Sequence, residues 1–497
     1  MDAAFTRLPL GARPPGRWAL AARWVVADTP AGRRLVEHGE VVVEDDRVIH
    51  AGSPFAGEVA ARYDMGEALI GPGFVDLDAL ADLDTTVLAF DNQPAWRKGR
   101  VWPRSYVERG PYEMYSHDEL AFQKRFAFAQ LLLNGITSAL PIASLFYREW
   151  GETVAELDAA AEAAGALGLR VWLGPAYRAG GMVVEPDGRL EPVFDEARGF
   201  AGLSEAVAFA RRSHGAEGGL VSALLAPDRV ETCTAGLLAE TMAASRDLDC
   251  PVRLHMAQGA MEVETVRRLH GATAPGWLGR HGLLSDRLIA PHATVATDDD
   301  LALYAAHGVT VAHCPLVAGR HGGVLRSFAR LKRMGIRVGM GTDTTPPDMV
   351  LNMALGAMLC RVVEGDATAC SAADLYDAAT IAGADALRRP DLGRLAPGAS
   401  ADIAVFAMDD VHMTPRIDPI QTLILGATGR VTRATVVDGR LSMRDGQVAG
   451  IDLASARARA QTQFDGLLAK YPQRTHGHPP LAEIFPPSYP PMEGGHA

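Results

Sequence analysis

Eight short apolar runs spaced through residues 71–390 constrain this chain more than any other feature. The first is Phe74-Val75-Asp76-Leu77-Asp78, entered through the turn Gly71-Pro72-Gly73. The others are Ile136–Leu140, Arg170–Leu173, Leu220–Leu225, Val252–His255, Leu288–His292, Thr310–His313 and Arg337–Asp343. Between them lie longer amphipathic stretches such as Val154–Leu167 and Ala235–Asp247. Strand-like runs alternating with helical ones require a parallel sheet covered by helices. Eight such units are the number that closes a (β/α)8 TIM barrel. A doubly wound open sheet is the alternative, but no glycine-rich phosphate turn follows the first run. The expectation is an α/β protein with its catalytic barrel over 71–390.

The flanks read differently. Trp24–Asp28 and Glu40–Ile49 alternate as strands, with Asp45-Asp46 suited to a tight hairpin turn. Ala401–Phe406 and Ala434–Arg440 repeat that pattern some 330 residues later. Residues 17–70 and 391–450 are therefore expected to form one discontinuous β-sandwich domain. Residues 451–470 are expected to be helical. A proline-rich arm follows Tyr471 to residue 497, with His476 and His478 as polar loop residues.

The formal net charge of -12 argues against nucleic acid and anionic membrane as partners. No apolar run approaches the ~18 residues of a membrane span. The N-terminus has no basic start followed by an apolar segment, so no signal peptide is expected. The five cysteines lack CxxC spacing and read as buried thiols of a cytoplasmic protein.

Chemistry gathers at the ends of the runs. Asp78, His255, His292 and Asp343 each close a strand, and the C-terminal ends of barrel strands are where such folds hold their reactive groups. A single strand-end histidine is ordinarily a hydrogen-bonded core or rim residue. Imidazoles and carboxylates converging on one face suit zinc, iron(II) or manganese.

These residues sit in motifs that resemble the amidohydrolase superfamily, in the branch of triazine chlorohydrolases and nucleobase-type aminohydrolases. The resemblance spans about residues 20–450. Pro72-Gly73-Phe74-Val75-Asp76 is similar to the family's first strand, and Asn134-Gly135-Ile136-Thr137-Ser138 to its second. His255-Met256-Ala257-Gln258 falls where the family has His-x-x-Glu. Val311-Ala312-His313-Cys314-Pro315, Gly341-Thr342-Asp343 and Leu392–Gly398 with Ala401-Asp402-Ile403 match later segments. The resemblance implies a hydrolase that uses one divalent metal ion, zinc ahead of iron or manganese. It implies His255, Asp343, Asp78 and His292 as metal ligands, Asp343 as proton carrier and His292 as the group that polarises the substrate. It also implies a homodimer or homotetramer.

Three departures shape the expected chemistry. The family's first-strand His-x-His reads Asp78-Ala79-Leu80, so Asp78 is the only donor left there, with Asp82 and Asp84 in reserve. Gln258 replaces the glutamate; it orients a substrate or water but does not titrate, which disfavours ring deamination. Leu316-Val317 replaces the usual Ser-Asn, and Arg320 and His321 follow in that loop. Gln258, Tyr177, Arg178 and His321 are the expected substrate contacts. The long insertion Phe90–Tyr115, with Trp96, Arg97, Trp102, Tyr106 and Tyr112, is a candidate lid. The expected function is metal-dependent hydrolysis of a non-peptide C–N bond in a small molecule: an amide, urea, carbamate or substituted heterocycle. Deamination of an N-heterocycle is the second reading. A metal-free barrel serving as a binding protein is the third.

Overall fold

A computed structural model describes residues 2–83, 102–108, 115–143 and 151–490 of the chain. The eight apolar runs are strands: β1 (Phe74–Leu80), β2 (Ile136–Ile142), β3 (Arg170–Leu173), β4 (Val221–Ala223), β5 (Val252–Arg253), β6 (Leu288–Pro291), β7 (Thr310–His313) and β8 (Val338–Met340). Every pairing among them is parallel. β4, β3, β2 and β1 lie side by side in one sheet, and β5 to β8 in another.

Hydrogen bonds join the two sheets at both margins. Leu225, just past β4, bridges Val252 of β5, and the Arg253 N–H donates to Leu225 O at 3.0 Å. On the opposite side the Asp343 N–H, just past β8, donates to Asp78 O of β1 at 2.8 Å. Strands covered on both faces carry near-continuous apolar runs, and all seven residues of β1 are buried. Val75, Leu77, Leu140, Trp172, Leu224 and Ile289, from both sheets, share one enclosed cluster. Gly73 lets β1 approach β2: a Cβ there would lie 2.1 Å from Thr137 Cγ2.

Helices connect successive strands. Val154–Leu167, between β2 and β3, shows why the sequence starts and stops where it does. The Thr153 side chain accepts the Glu156 N–H at the N-terminus, and Gly168 ends the helix at φ 72°.

The two ends of the chain meet in one nine-stranded sheet. Five of its strands lie between Arg17 and Pro72, and four between Ile403 and Val448. Ala68–Pro72 pairs antiparallel with Ile403–Ala407, Ile70 opposite Val405. Trp18, Leu20, Val41, Ile70, Ile403 and Val436 belong to its own core. A buried ion pair ties this sheet to β3: Arg170 holds Asp402 through two contacts of 3.1 Å and reaches Asp438 at 3.4 Å.

The C-terminal helix runs Leu453–Arg474, beyond the expected stop. Pro472 falls in its last turn and removes one backbone N–H there, while its carbonyl still accepts the Thr475 N–H at 3.2 Å. A one-turn helix, Leu481–Ile484, interrupts the proline-rich tail and brings Ile484 onto Phe464, Leu467 and Tyr471 of the long helix. Tyr115 and Leu120 complete that cluster. Among the described residues no helix is long and apolar enough to cross a membrane.

Candidate metal centre

The strand ends bring four expected residues together. Asp78 Oδ2 lies 3.5 Å from His255 Nε2 and 3.9 Å from His292 Nε2, and Asp343 Oδ2 lies 3.5 Å from the same His292 nitrogen. All four side chains are buried, Asp78 completely. One donor atom each from Asp78, His255 and His292 falls within 4.8 Å of the others.

Local backbone places them there. The register of β1 against β2 shifts between Asp76 and Ala79, and such a bulge re-aims side chains. His292, Ala293 and Asp343 have φ of 76°, 53° and 40°, a region non-glycine residues seldom occupy. Hydrogen bonds hold this geometry: the His292 N–H donates to Ala312 O at 2.9 Å, and the Asp343 N–H to Asp78 O. Gly341 is required for β8 to approach β1, since a Cβ would sit 2.8 Å from Asp78 Cβ and 2.9 Å from Cys314 Sγ.

A second layer orients the donors, and the sequence reading passed over it. His255 Nδ1 donates to Asp228 O at 3.2 Å, which turns Nε2 towards Asp78. Asp76 sews β1 to β8: its Oδ2 accepts the Thr342 hydroxyl at 2.5 Å, and its Oδ1 accepts the Thr342 and Asp78 N–H groups at 3.0 and 3.1 Å. Burial pushes Asp76 up to about 6 despite these bonds. Arg253, two residues before His255 and so on the same face of the strand, donates to Leu140 O and Pro141 O at 3.1 and 2.9 Å. Its Nε lies 3.7 Å from Asp78 Oδ1. Burial alone would raise the Asp78 pKa, but His255, Arg253 and His292 together hold it below the usual carboxylate value.

The remaining expected contacts are placed unevenly. Gln258 is half-buried in the loop after His255, where the Glu262 carboxylate accepts the N–H groups of Ala257 and Gln258 at 2.6 and 2.7 Å. The Gln258 Oε1 is buried without a hydrogen-bond partner among the described residues. Arg178 stacks on Trp102 at 4.4 Å and contacts Asp228 at 3.5 Å, next to the carbonyl that holds His255.

Tyr177 is not brought to the centre: it faces the helix Ala235–Leu248, and its hydroxyl bonds Thr241 Oγ1 at 2.8 Å. Strand alternation turns it outward while Arg178 turns the other way. His321 is exposed at the end of the helix Pro315–Arg320. Arg320 bonds the Thr344 hydroxyl and Thr345 O, directly after Asp343. Leu80 is buried and pairs with Ile142. Asp82 is buried just past β1. Asp84, Trp96, Arg97 and Tyr112 lie outside the described residues.

The donor set fits a metal ion. Ligands about 2.0–2.2 Å from a tetrahedral ion stand roughly 3.3–3.6 Å from one another. The spacings of 3.5 and 3.9 Å are too long for hydrogen bonds and suit donors that share one cation. The two buried carboxylates carry one more negative charge than the Arg253 guanidinium beside Asp78 offsets, and a cation would balance it.

Residues 83–442 match the model of the amidohydrolase family. A 5-methylthioadenosine/S-adenosylhomocysteine deaminase from Desulforudis audaxviator is 26% identical over 436 residues, covering 85% of this chain and 93% of its own length. A protein of the same name from Halobacterium salinarum is 28% identical over 445 residues, covering 88% and 95%. Among solved structures, an adenosine deaminase from Xanthomonas campestris with bound zinc superposes with a TM-score of 0.74 at 22% identity, over 92% of this chain and 100% of that one. A mutant atrazine chlorohydrolase from Arthrobacter aurescens, complexed with zinc and atraton, gives 0.74 at 21% identity, over 90% and 99%. The two structural likenesses carry the fold.

Proposed function

The chain belongs to the amidohydrolase family, and from that premise we propose that it is a metal-dependent hydrolase of non-peptide C–N bonds in small molecules. The observation that carries the reading is the convergence of Asp78, His255, His292 and Asp343 at ion-sharing distances. We read the two parallel sheets as halves of one (β/α)8 barrel over 71–390, joined through Leu225 and Asp343. We read the single nine-stranded sheet, with its own core, as the composite domain expected as a β-sandwich of 17–70 and 391–450.

One divalent cation, zinc ahead of iron or manganese, would be held by Asp78, His255 and His292, with Asp343 beside it. When bound, it supplies Lewis acidity and a water acidified to near neutrality. Asp343 takes the proton of the attacking water through Oδ2 and passes it to the leaving nitrogen. His292 Nε2 lies 3.5 Å from that oxygen; as a ligand it would keep the carboxylate beside the ion, with no N–H left on that nitrogen to polarise the substrate. Gln258 offers a buried amide oxygen as acceptor for a substrate N–H. Arg178, braced by Trp102 and Asp228, stands next to the carbonyl that holds His255.

The relatives named as deaminases support a second reading, hydrolytic removal of an amino group from an N-heterocycle. Gln258 weighs against it, because protonating a ring nitrogen calls for a titratable group there.

Elemental analysis of the purified protein, paired with a screen of amides, ureas, aminated purines and triazines for ammonia or amine release, tests both readings. About one metal per chain, lost together with activity in Asp343→Ala, supports the hydrolase. Protein that is metal-free and refuses added zinc, iron and manganese overturns it.

A further inference from the structure

We propose that Arg253 fixes how Asp78 binds the ion, and through it which ion the centre prefers: by engaging Oδ1 it leaves only Oδ2 for the metal. The inference rests on reading Asp78, His255 and His292 as metal donors, with Asp343 beside the ion.

The guanidinium is not a loose neighbour. Arg253 is 3% exposed, and its Nη1 is clamped to two carbonyls at the end of β2, Leu140 O and Pro141 O. That bracing sets the height of Nε, which stands 3.7 Å from Asp78 Oδ1. Oδ1 is buried and has no hydrogen-bond partner among the described residues, so Arg253 is the cation against it. Oδ2 looks the other way, towards His255 Nε2, His292 Nε2 and, at 4.0 Å, the Cys314 thiol. The two oxygens of one carboxylate are thus divided between two cation positions, and the chain itself occupies one of them.

An ion bound through both oxygens would have to move towards Oδ1 and therefore towards a fixed positive charge, with little solvent between them. Single-oxygen binding by Asp78 and the two imidazoles makes three protein donors and leaves the open fourth position that catalytic zinc sites keep. Manganese(II) favours six, mostly oxygens. Arg253 therefore acts as a positioning residue that biases the centre towards a four-coordinate ion.

The test uses cobalt(II), whose visible absorption is several-fold more intense when four-coordinate than when five- or six-coordinate. Metal-free full-length protein is titrated with cobalt(II), and zinc–manganese competition gives the preference. Arg253→Gln keeps a donor for Leu140 O and removes the charge; Arg253→Lys keeps the charge. The expected result is an intense spectrum for wild type and Arg253→Lys. For Arg253→Gln, absorption falls threefold or more and the preference for zinc over manganese falls at least tenfold.

Asp78→Asn supplies a reading independent of whether Arg253→Gln folds. An amide offers one oxygen, so the coordination number reported by cobalt stays that of wild type if Asp78 already binds through one; a changed number overturns the proposal. So do a wild-type spectrum and zinc preference retained in folded Arg253→Gln. Wild-type protein that takes up no cobalt, zinc or manganese overturns the metal centre itself, a separate failure.

Discussion

His313 gives the chain a calculable weakness to acid. It lies on β7, 4% exposed, with the Phe328 ring centroid 5.9 Å away. Burial alone drives its pKa down from 6.5 to about 3. The group is neutral in the folded state and free to protonate in the unfolded one. Its contribution is therefore complete above the unfolded value of 6.5 and is lost as pH falls towards 3. At 1.36 kcal/mol per pKa unit, the full effect is on the order of 5 kcal/mol, and the part lost between pH 7 and pH 5 is about 2 kcal/mol. The perturbation is His313→Gln, which removes the titration. Urea unfolding of both proteins at pH 7 and pH 5, followed by tryptophan fluorescence, gives the difference of differences. The variant is expected to lose about 2 kcal/mol less than wild type over that interval. Equal losses in the two proteins would refute the assignment. The consequence reaches the metal centre, because Ala312 O anchors the His292 N–H and His313 O anchors the Gly341 N–H.

Other outcomes follow from the same structure. Asp78→Ala should bring metal content from about one per chain to a small fraction by elemental analysis; full occupancy would remove Asp78 from the ligand set. Gln258→Glu should raise ammonia release from aminated purines or triazines at least ~10-fold, given that acid–base groups contribute ~100-fold or more; an unchanged rate would count against Gln258 facing substrate. Gly341→Ala should cost ~1–3 kcal/mol in urea unfolding and lower metal affinity, because its Cβ would press on Asp78 and Cys314. Arg170→Met should destabilise by ~3–5 kcal/mol, since it leaves the buried Asp402 without its cation; a cost below ~1 kcal/mol would show the pair to be solvated.

The strand runs were legible because strands buried on both faces carry unbroken apolar sequence. Their ends were read less well. Leu220–Leu225 and Val252–His255 were expected as strands, but the ladders stop at Ala223 and Arg253. Past those points the chain leaves the sheet to form the centre, and His255 and His292 survive only in isolated bridges. Asp78, His255, His292 and Asp343 were legible as candidates because their residue types stand out against apolar strand ends. Arg253 and Asp76 were hidden inside strand runs, where a lone charge looks like a tolerated exception; counting alternate residues back from His255 and Asp78 would have found both. Tyr177 and Arg178 were read as a pair although neighbours on an extended segment point in opposite directions. Pro472 hides the end of the last helix in the sequence, because a proline lacks the helix N–H and yet two more residues here remain helical after it.

The nine-stranded sheet has a consequence for the order of assembly. Gly73, immediately before β1, is held by the carbonyl of Asp402, with its N–H 3.0 Å from that oxygen. Ala68–Pro72 likewise waits for Ile403–Ala407. His255, His292 and Asp343 all leave the ribosome before residue 402 does. At 5–20 residues per second, the strand that carries Asp78 remains without its anchor for roughly 15–65 s after it is made. A nascent chain halted at residue 390 thus holds Asp78, His255, His292 and Asp343, with β1 already able to pair with β2, while the segment leading into β1 still lacks its partner strand.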